Sequence, residues 1–236
     1  MAIEFVLLLV GGYLMGSIPT AYLAARWTRR IDIRQYGSGN VGGANLIKLG
    51  ARWIAVIVGL FDTGKAMPAV WVAHLVGLDL TQQVIIGIAA VVGHNWPVFL
   101  RFSGGRGIAT IMGVALIVPL LNGLIPWSLI AFMTIMIANV LTVRSIPVGI
   151  GISVAVMPIV SWVTVEPKSG QLALTLGFVA MFIIMVIRRL TPRRTQISAS
   201  VTTGELLLNR LLFDRDIRDR EAWINQQRVK PKEGKD

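Results

Sequence analysis

The amino-acid sequence predicts an all-α integral membrane protein, and three observations carry that prediction. The 236-residue chain is 54% hydrophobic and only 15% charged, with a mean hydropathy of +0.68; soluble domains hold about 25% charged residues. Its apolar residues gather into runs of the length, about 20 residues, that a helix needs to cross a hydrocarbon core about 30 Å thick. Basic residues crowd into alternate connections between those runs, as orientation in a bilayer requires.

The runs predict about seven transmembrane helices, over residues 3–25, 53–77, 82–100, 108–121, 125–143, 146–165 and 170–187. The fourth is short for a full crossing, so it is tilted, re-entrant or stretched by its neighbours. The first lacks a basic leading segment and reads as a span, not a cleavable signal. Arg26, Arg29, Arg30, Arg34, Lys48 and Arg52 fall in the first connection, Arg101 and Arg106 in the third, and Arg144 in the fifth. Arg188, Arg189, Arg193 and Arg194 follow the last run, whereas the other connections hold Asp79, Asn122, Glu166 and Lys168. The positive-inside rule then places the N-terminus outside and the C-terminus in the cytoplasm, in a plasma or inner membrane. Trp27, Trp53, Trp71, Trp96, Trp127 and Trp162 lie near run ends, as an interfacial belt would.

Residues 1–190 thus form the membrane domain and 191–236 a polar cytosolic tail. Thr202 and Glu205 have the spacing of a capping box. Beyond them Leu207, Leu208, Leu211, Leu212 and Ile217 recur at helical spacing among Arg210, Arg215 and Arg218. That helix either lies in the membrane interface or packs on the protein's own cytosolic face.

Composition also excludes whole classes of chemistry. The absence of cysteine removes disulfides, thiolate nucleophiles and cysteine metal sites. Two histidines argue against a histidine-built metal centre, and no cofactor is expected. Basic residues are not interleaved with aromatics along a face, so nucleic acid is not a partner. No GxxxxGK[ST] loop occurs.

Three polar clusters interrupt the apolar chain. The first, "RQYGSGNVGGANLIKLG" (residues 34–50), holds five glycines and two asparagines. Consecutive backbone N–H groups in such a turn form a concavity for anions. Ser38 and Asn40 add hydrogen bonds and Lys48 a charge; the competing reading is an ordinary glycine-rich connection. The second, "FDTGKAMPAV", puts Asp62 and Lys65 one turn apart inside an apolar run. Ionisable residues there are costly and mark function by default, although a structural ion pair fixing helix packing gives the same spacing. The third, "GHNWPVFLRFSGGRGIAT", has Pro97 breaking a helix end and a Ser-Gly-Gly-Arg-Gly turn leading into the next helix. Arg106 offers a bidentate grip on phosphate; His94 alone could equally satisfy a helix end. All three clusters belong to the predicted cytosolic side, which places the site there and points to phosphate-bearing ligands.

These stretches resemble the signature motifs of the bacterial acyl-phosphate:glycerol-3-phosphate acyltransferases. "GSGNVGGAN" and "GHNWPVFLRFSGGRGIAT" resemble two of them, "FDTGKAMPAV" is similar to the third, and "GSIPTAYL" in the first run also resembles the family. The resemblance covers roughly residues 1–190. It implies a seven-helix membrane enzyme that moves a fatty acyl group from acyl phosphate to the 1-hydroxyl of glycerol 3-phosphate, releasing lysophosphatidic acid and phosphate. Two phosphorylated substrates match two glycine-rich turns, and an activated acyl phosphate needs no cysteine or histidine nucleophile.

By the same resemblance Ser38, Lys65, His94 and Arg106 are catalytic, with Asp62 in support. Gly37, Gly39, Asn40, Gly42, Asn45, Lys48, Gly104, Gly105, Gly107 and Thr110 bind substrate phosphate. Several positions depart from the family pattern. Lys48 stands where arginine is usual and Arg106 where lysine is usual; Val41 replaces a proline, Ala44 a threonine and Ala66 a glycine. Arg188 and Thr191 fall where the family carries a histidine and an asparagine after the last span. A rival reading from another class, a non-catalytic phosphate or phospholipid binder or a transporter, is favoured by those last two departures. The outer half offers a transport path little beyond His74 and Asp79.

Overall fold

The computed structural model describes residues 2–36, 39–191 and 201–219. Among these, every regular element is helical. Helices α1 (Ala2–Gly16) and α2 (Thr20–Arg29) share the first apolar run, α3 (Gly43–Lys48) lies in the glycine-rich connection, and α4 (Arg52–Gly64) and α5 (Met67–Leu75) share the second run. There follow α6 (Leu80–Asn95), α7 (Ile108–Leu121), α8 (Trp127–Leu141), α9 (Ile146–Thr164) and α10 (Gln171–Leu190), and then α11 (Thr203–Phe213) in the tail. Five apolar helical stretches are long enough to cross a membrane, namely Ala2–Arg29, Arg52–Leu75, Leu80–Leu100, Ile146–Thr164 and Gln171–Leu190; α7 and α8 are shorter apolar helices.

Three proline-associated breaks distinguish the structure from uninterrupted spans. Pro19 has no N–H and restricts Ile18, so the first run changes from α1 to α2 across residues 17–19. Pro68 sits in the first turn of α5 and cannot donate back to α4, and the second run breaks at Lys65 and Ala66. Pro97 ends the third run early: α6 stops at Asn95, not residue 100, and the chain turns through left-handed Arg101 and Phe102.

Close backbone approach, the usual means of packing helices in lipid, holds the bundle together. A Cβ on Gly16 would lie 2.1 Å from the Ala90 carbonyl oxygen, and one on Gly93 2.1 Å from that of Tyr13, so α1 and α6 meet backbone to backbone. Gly113 places α7 equally close to α4, where an added Cβ would meet the Thr63 carbonyl oxygen at 1.9 Å. The main core fills with Val70, Ile86, Val91, Ile111, Val114, Met157 and Met181. A smaller one, including Ile33, Val41, Leu46 and Leu100, lies under the glycine-rich connection. Apolar side chains such as Leu7, Trp53, Leu60, Ile137, Val163 and Leu176 cover the outside, the pattern a lipid-facing surface takes.

The tail helix packs against the end of α10 through one face. Thr202 caps it by accepting the Glu205 N–H at 3.4 Å and donating to the Glu205 carboxylate at 3.0 Å. Leu206 and Arg210 face inward and are buried, whereas Leu207, Leu208, Leu211 and Leu212 remain exposed. Arg189 donates to the Leu211 carbonyl at 2.9 Å and Arg210 to that of Leu190 at 2.9 Å, which ties α11 to the end of α10.

Candidate active site

Each proline-associated break frees backbone polar groups, and the site is built where the three breaks meet. At the first, Gly16 and Ile18 have carbonyls released from the regular helical ladder; both accept from the Lys65 ammonium, at 3.3 and 2.5 Å. Lys65 also lies 2.8 Å from Asp62 Oδ1, and both side chains are almost fully buried. Thr20, the first residue of α2, donates to the same carboxylate oxygen at 2.5 Å. His94 Nδ1 stands 3.4 Å from Lys65 Nζ and 3.7 Å from Asp62 Oδ1. Lysine has only donors, so a Lys65 proton directed at Nδ1 leaves the imidazole hydrogen on Nε2. Asp62 and Lys65 thus form a compensated buried pair, as buried charge in a membrane requires.

The third break supplies the opposite wall. Gly105 donates to the His94 carbonyl at 3.1 Å, folding the Ser-Gly-Gly-Arg-Gly turn back over the end of α6. Glycine is needed here for close approach. A Cβ on Gly104 would lie 2.1 Å from the His94 carbonyl oxygen, and one on Gly105 2.1 Å from His94 Nε2 and 2.8 Å from the Val41 carbonyl oxygen. Between these walls lies a small cleft lined by Gly16, Ile18, Pro19, Thr20, Val41, Lys65, His94, Pro97, Gly104 and Gly105.

Of the expected site residues, Lys65, His94, Gly104 and Gly105 come together at this pocket, with Asp62 immediately behind them. Other predicted residues hold the walls in place. Asn45 is buried and donates to the carbonyls of Ile33, Tyr36 and Asn40 at 3.2, 2.9 and 3.1 Å, pinning the first glycine-rich connection. In the same connection Asp32 accepts the Arg34 N–H at 3.0 Å and pairs with its guanidinium at 2.6 Å, which holds the Asp32 carboxyl below its ordinary value. Gly39 is left-handed (φ +64°), Asn40 and Gly42 are half-buried beside it, and Lys48 is exposed on α3. Thr110 donates to the Asp62 backbone carbonyl at 3.0 Å, joining α7 to α4. Gly107 is left-handed (φ +75°) and rests against buried Asn95. Gly37 and Ser38 lie outside the described residues.

Arg106 points to the end of α10 and the tail. Its Nη1 donates to the Arg188 carbonyl at 2.5 Å, and its Nη2 lies 2.8 Å from Asp214 Oδ1. Arg188 in turn donates to the carbonyls of Gly105 and Gly104 at 3.1 and 2.9 Å. Thr20 and Asp214 escaped prediction as site residues, and Arg188 stood out only as a departure from the family's histidine. Thr20 is 42 positions from Asp62, and only its place in the GSIPTAYL stretch hinted at a role. At the far end Asp79 and Gln82 cap α6, and the Gln83 amide lies 3.4 Å from His74 Nδ1.

The fold and site define a class: a helical membrane protein with a small, glycine-walled basic pocket at the end of the bundle where its broken helices meet. The sequence model of the family described as glycerol-3-phosphate acyltransferase matches residues 6–197. The chain is 42% identical over 235 residues to glycerol-3-phosphate acyltransferase 4 of Dehalococcoides mccartyi (strain CBDB1), covering 98% of this chain and 97% of that protein. Two crystal structures of PlsY (YgiH), an integral membrane glycerol 3-phosphate acyltransferase, share the fold. The glycerol 3-phosphate form has a TM-score of 0.66 at 23% identity, covering 84% of this chain and 99% of its own. The lysophosphatidic acid form has a TM-score of 0.67 at 22% identity, covering 89% and 97%. The chain belongs to the glycerol-3-phosphate acyltransferase family.

Proposed function

We propose that this enzyme transfers a fatty acyl group from acyl phosphate to the 1-hydroxyl of sn-glycerol 3-phosphate, the acylation that opens phospholipid synthesis. The observation that carries the reading is the convergence of Lys65, His94 and the Gly104–Gly105 turn on one pocket in a chain of this family. In the reaction the acceptor oxygen bonds to the acyl carbon and the carbon–oxygen bond to phosphate breaks. The hydroxyl proton leaves with the released phosphate, which serves as its base. Phosphate is a good leaving group, so the protein's tasks are to orient both substrates and to stabilise developing negative charge. Lys65 and His94 stand at the pocket for that purpose; Ser38, Asn40, Lys48 and Arg106 take the phosphate groups, and Asp62 fixes Lys65. No metal or cofactor is assigned a step.

The donor's acyl chain lies along apolar helix faces or in lipid, which accounts for a membrane-embedded site. Residues 1–190 are the membrane body and 191–236 the tail, with the N-terminus outside and the pocket and C-terminus cytosolic. The positive-inside bias supports that orientation. A reporter fused to the C-terminus is expected to read out from the cytosol, and an external signal would reverse the topology.

The assay offers acyl phosphate and glycerol 3-phosphate to the purified protein and measures lysophosphatidic acid by mass. Ser38→Ala is expected to abolish product while the protein still inserts and melts as wild type does. Binding of glycerol 3-phosphate without product from the wild type would favour the non-catalytic reading.

A further inference from the structure

The tail makes one contact that the proposed chemistry does not explain. Arg106 sits in the glycine turn that walls the pocket, yet its Nη2 is paired with Asp214, more than a hundred residues away, at 2.8 Å. Its Nη1 is taken by the Arg188 carbonyl, and its buried Nε is left without a hydrogen-bond partner. Arg188 spends its own guanidinium on the carbonyls of Gly104 and Gly105, so two cations share one short turn. Like charges this close repel strongly where water is scarce. Asp214 is the carboxylate that faces Arg106, and it also attracts Arg188 and Arg189.

Asp214 is itself held from several sides. It caps the C-terminus of α11 in the left-handed conformation (φ +55°) and donates its N–H to the Arg210 carbonyl at 3.1 Å, a position asparagine and aspartate tolerate better than most residues. Arg210 forms a buried pair with Asp216 at 2.8 Å and bonds to the Leu190 carbonyl at 2.9 Å. Leu206 is 1% exposed, and Arg189 bridges to the Leu211 carbonyl. Anchorage on this scale suits a permanent wall better than a latch that releases. The segment also lies beyond residue 197, where the family match ends.

We propose that Asp214 is a positioning residue for the Arg106 guanidinium, so that residues 203–216 are an integral part of the substrate-phosphate site. The inference rests on the acyltransferase reading, in which Arg106 meets substrate phosphate. Asp214 acts through Arg106 by fixing one edge of its planar fork and offsetting the repulsion from Arg188.

A double-mutant cycle on the full chain in lipid discs tests this, read both by glycerol 3-phosphate calorimetry and by turnover. Asp214→Asn is expected to weaken glycerol 3-phosphate binding and raise its KM about tenfold, with a smaller effect on kcat. Asp214→Glu is expected to recover most of the loss. In an Arg106→Ala background, Asp214→Asn should add no further loss, because contacting residues that act together are not additive. Equal losses in both backgrounds would overturn the inference, as would unchanged affinity. Tighter binding in Asp214→Asn would overturn it in favour of a carboxylate that competes with substrate. Wild-type protein that binds glycerol 3-phosphate but makes no acyl product would instead sink the acyltransferase reading, and the binding cycle would still decide whether Asp214 positions Arg106.

Discussion

Lys65 takes its neighbours from three separate segments: Asp62 one turn earlier, the freed carbonyls of Gly16 and Ile18, and the His94 imidazole. The spacing of Asp62 and Lys65 made that pair legible in the sequence, because residues three apart share a helical face. The roles of Thr20, Arg188 and Asp214 were not legible, because each meets its partner only through tertiary folding. Asn45 and Thr110 have a structural place that the motifs did not reveal. Their place in the motifs suggested ligand contact, whereas their side chains bond to backbone carbonyls. Buried pairs are costly to break one partner at a time, by about 3–5 kcal/mol. Lys65→Met is therefore expected to destabilise the detergent-solubilised protein by about that amount, read as a lower melting temperature. Adding Asp62→Asn to it should restore part of the loss, since the neutral amide no longer needs a buried counter-ion. An unchanged melting point for Lys65→Met would mean that the pair does not support the fold.

At the scale of elements, apolar run length located the helices well and their interruptions poorly. The predicted run 108–121 coincides with α7, and 146–165 differs from α9 by one residue. Apolar residues on both sides of Pro19 make the first run look like a single helix, although the chain breaks there into α1 and α2. Glycine contacts between helices were not legible either. A glycine that lets two backbones touch has the same letter as one in a turn. Gly93 is such a contact, since a Cβ there would lie 2.1 Å from the Tyr13 carbonyl oxygen and 2.9 Å from the Ser17 nitrogen. Gly93→Ala is expected to push α1 from α6 and cost about 1–3 kcal/mol. Thermal unfolding in detergent would record the loss, and wild-type stability would show that the crossing can relax.

Over the whole molecule, the breaks in the helices and the basic connections come together at one end of the bundle. An apolar body there gains a small polar pocket without carrying isolated charges through the membrane. Its walls come from the first, second and third apolar runs, and the end of α10 and the tail brace the third wall from behind. Substrates that pair a phosphate with a long acyl chain suit such a boundary, because the phosphate meets the glycine turns while the chain stays among apolar faces. The central claim is most directly tested by wild-type turnover in lipid discs with glycerol 3-phosphate as acceptor, comparing palmitoyl phosphate with palmitoyl-CoA as donor. The account predicts lysophosphatidic acid and one phosphate per product from palmitoyl phosphate alone. Product from palmitoyl-CoA alone, or none from either donor while glycerol 3-phosphate still binds, would contradict it.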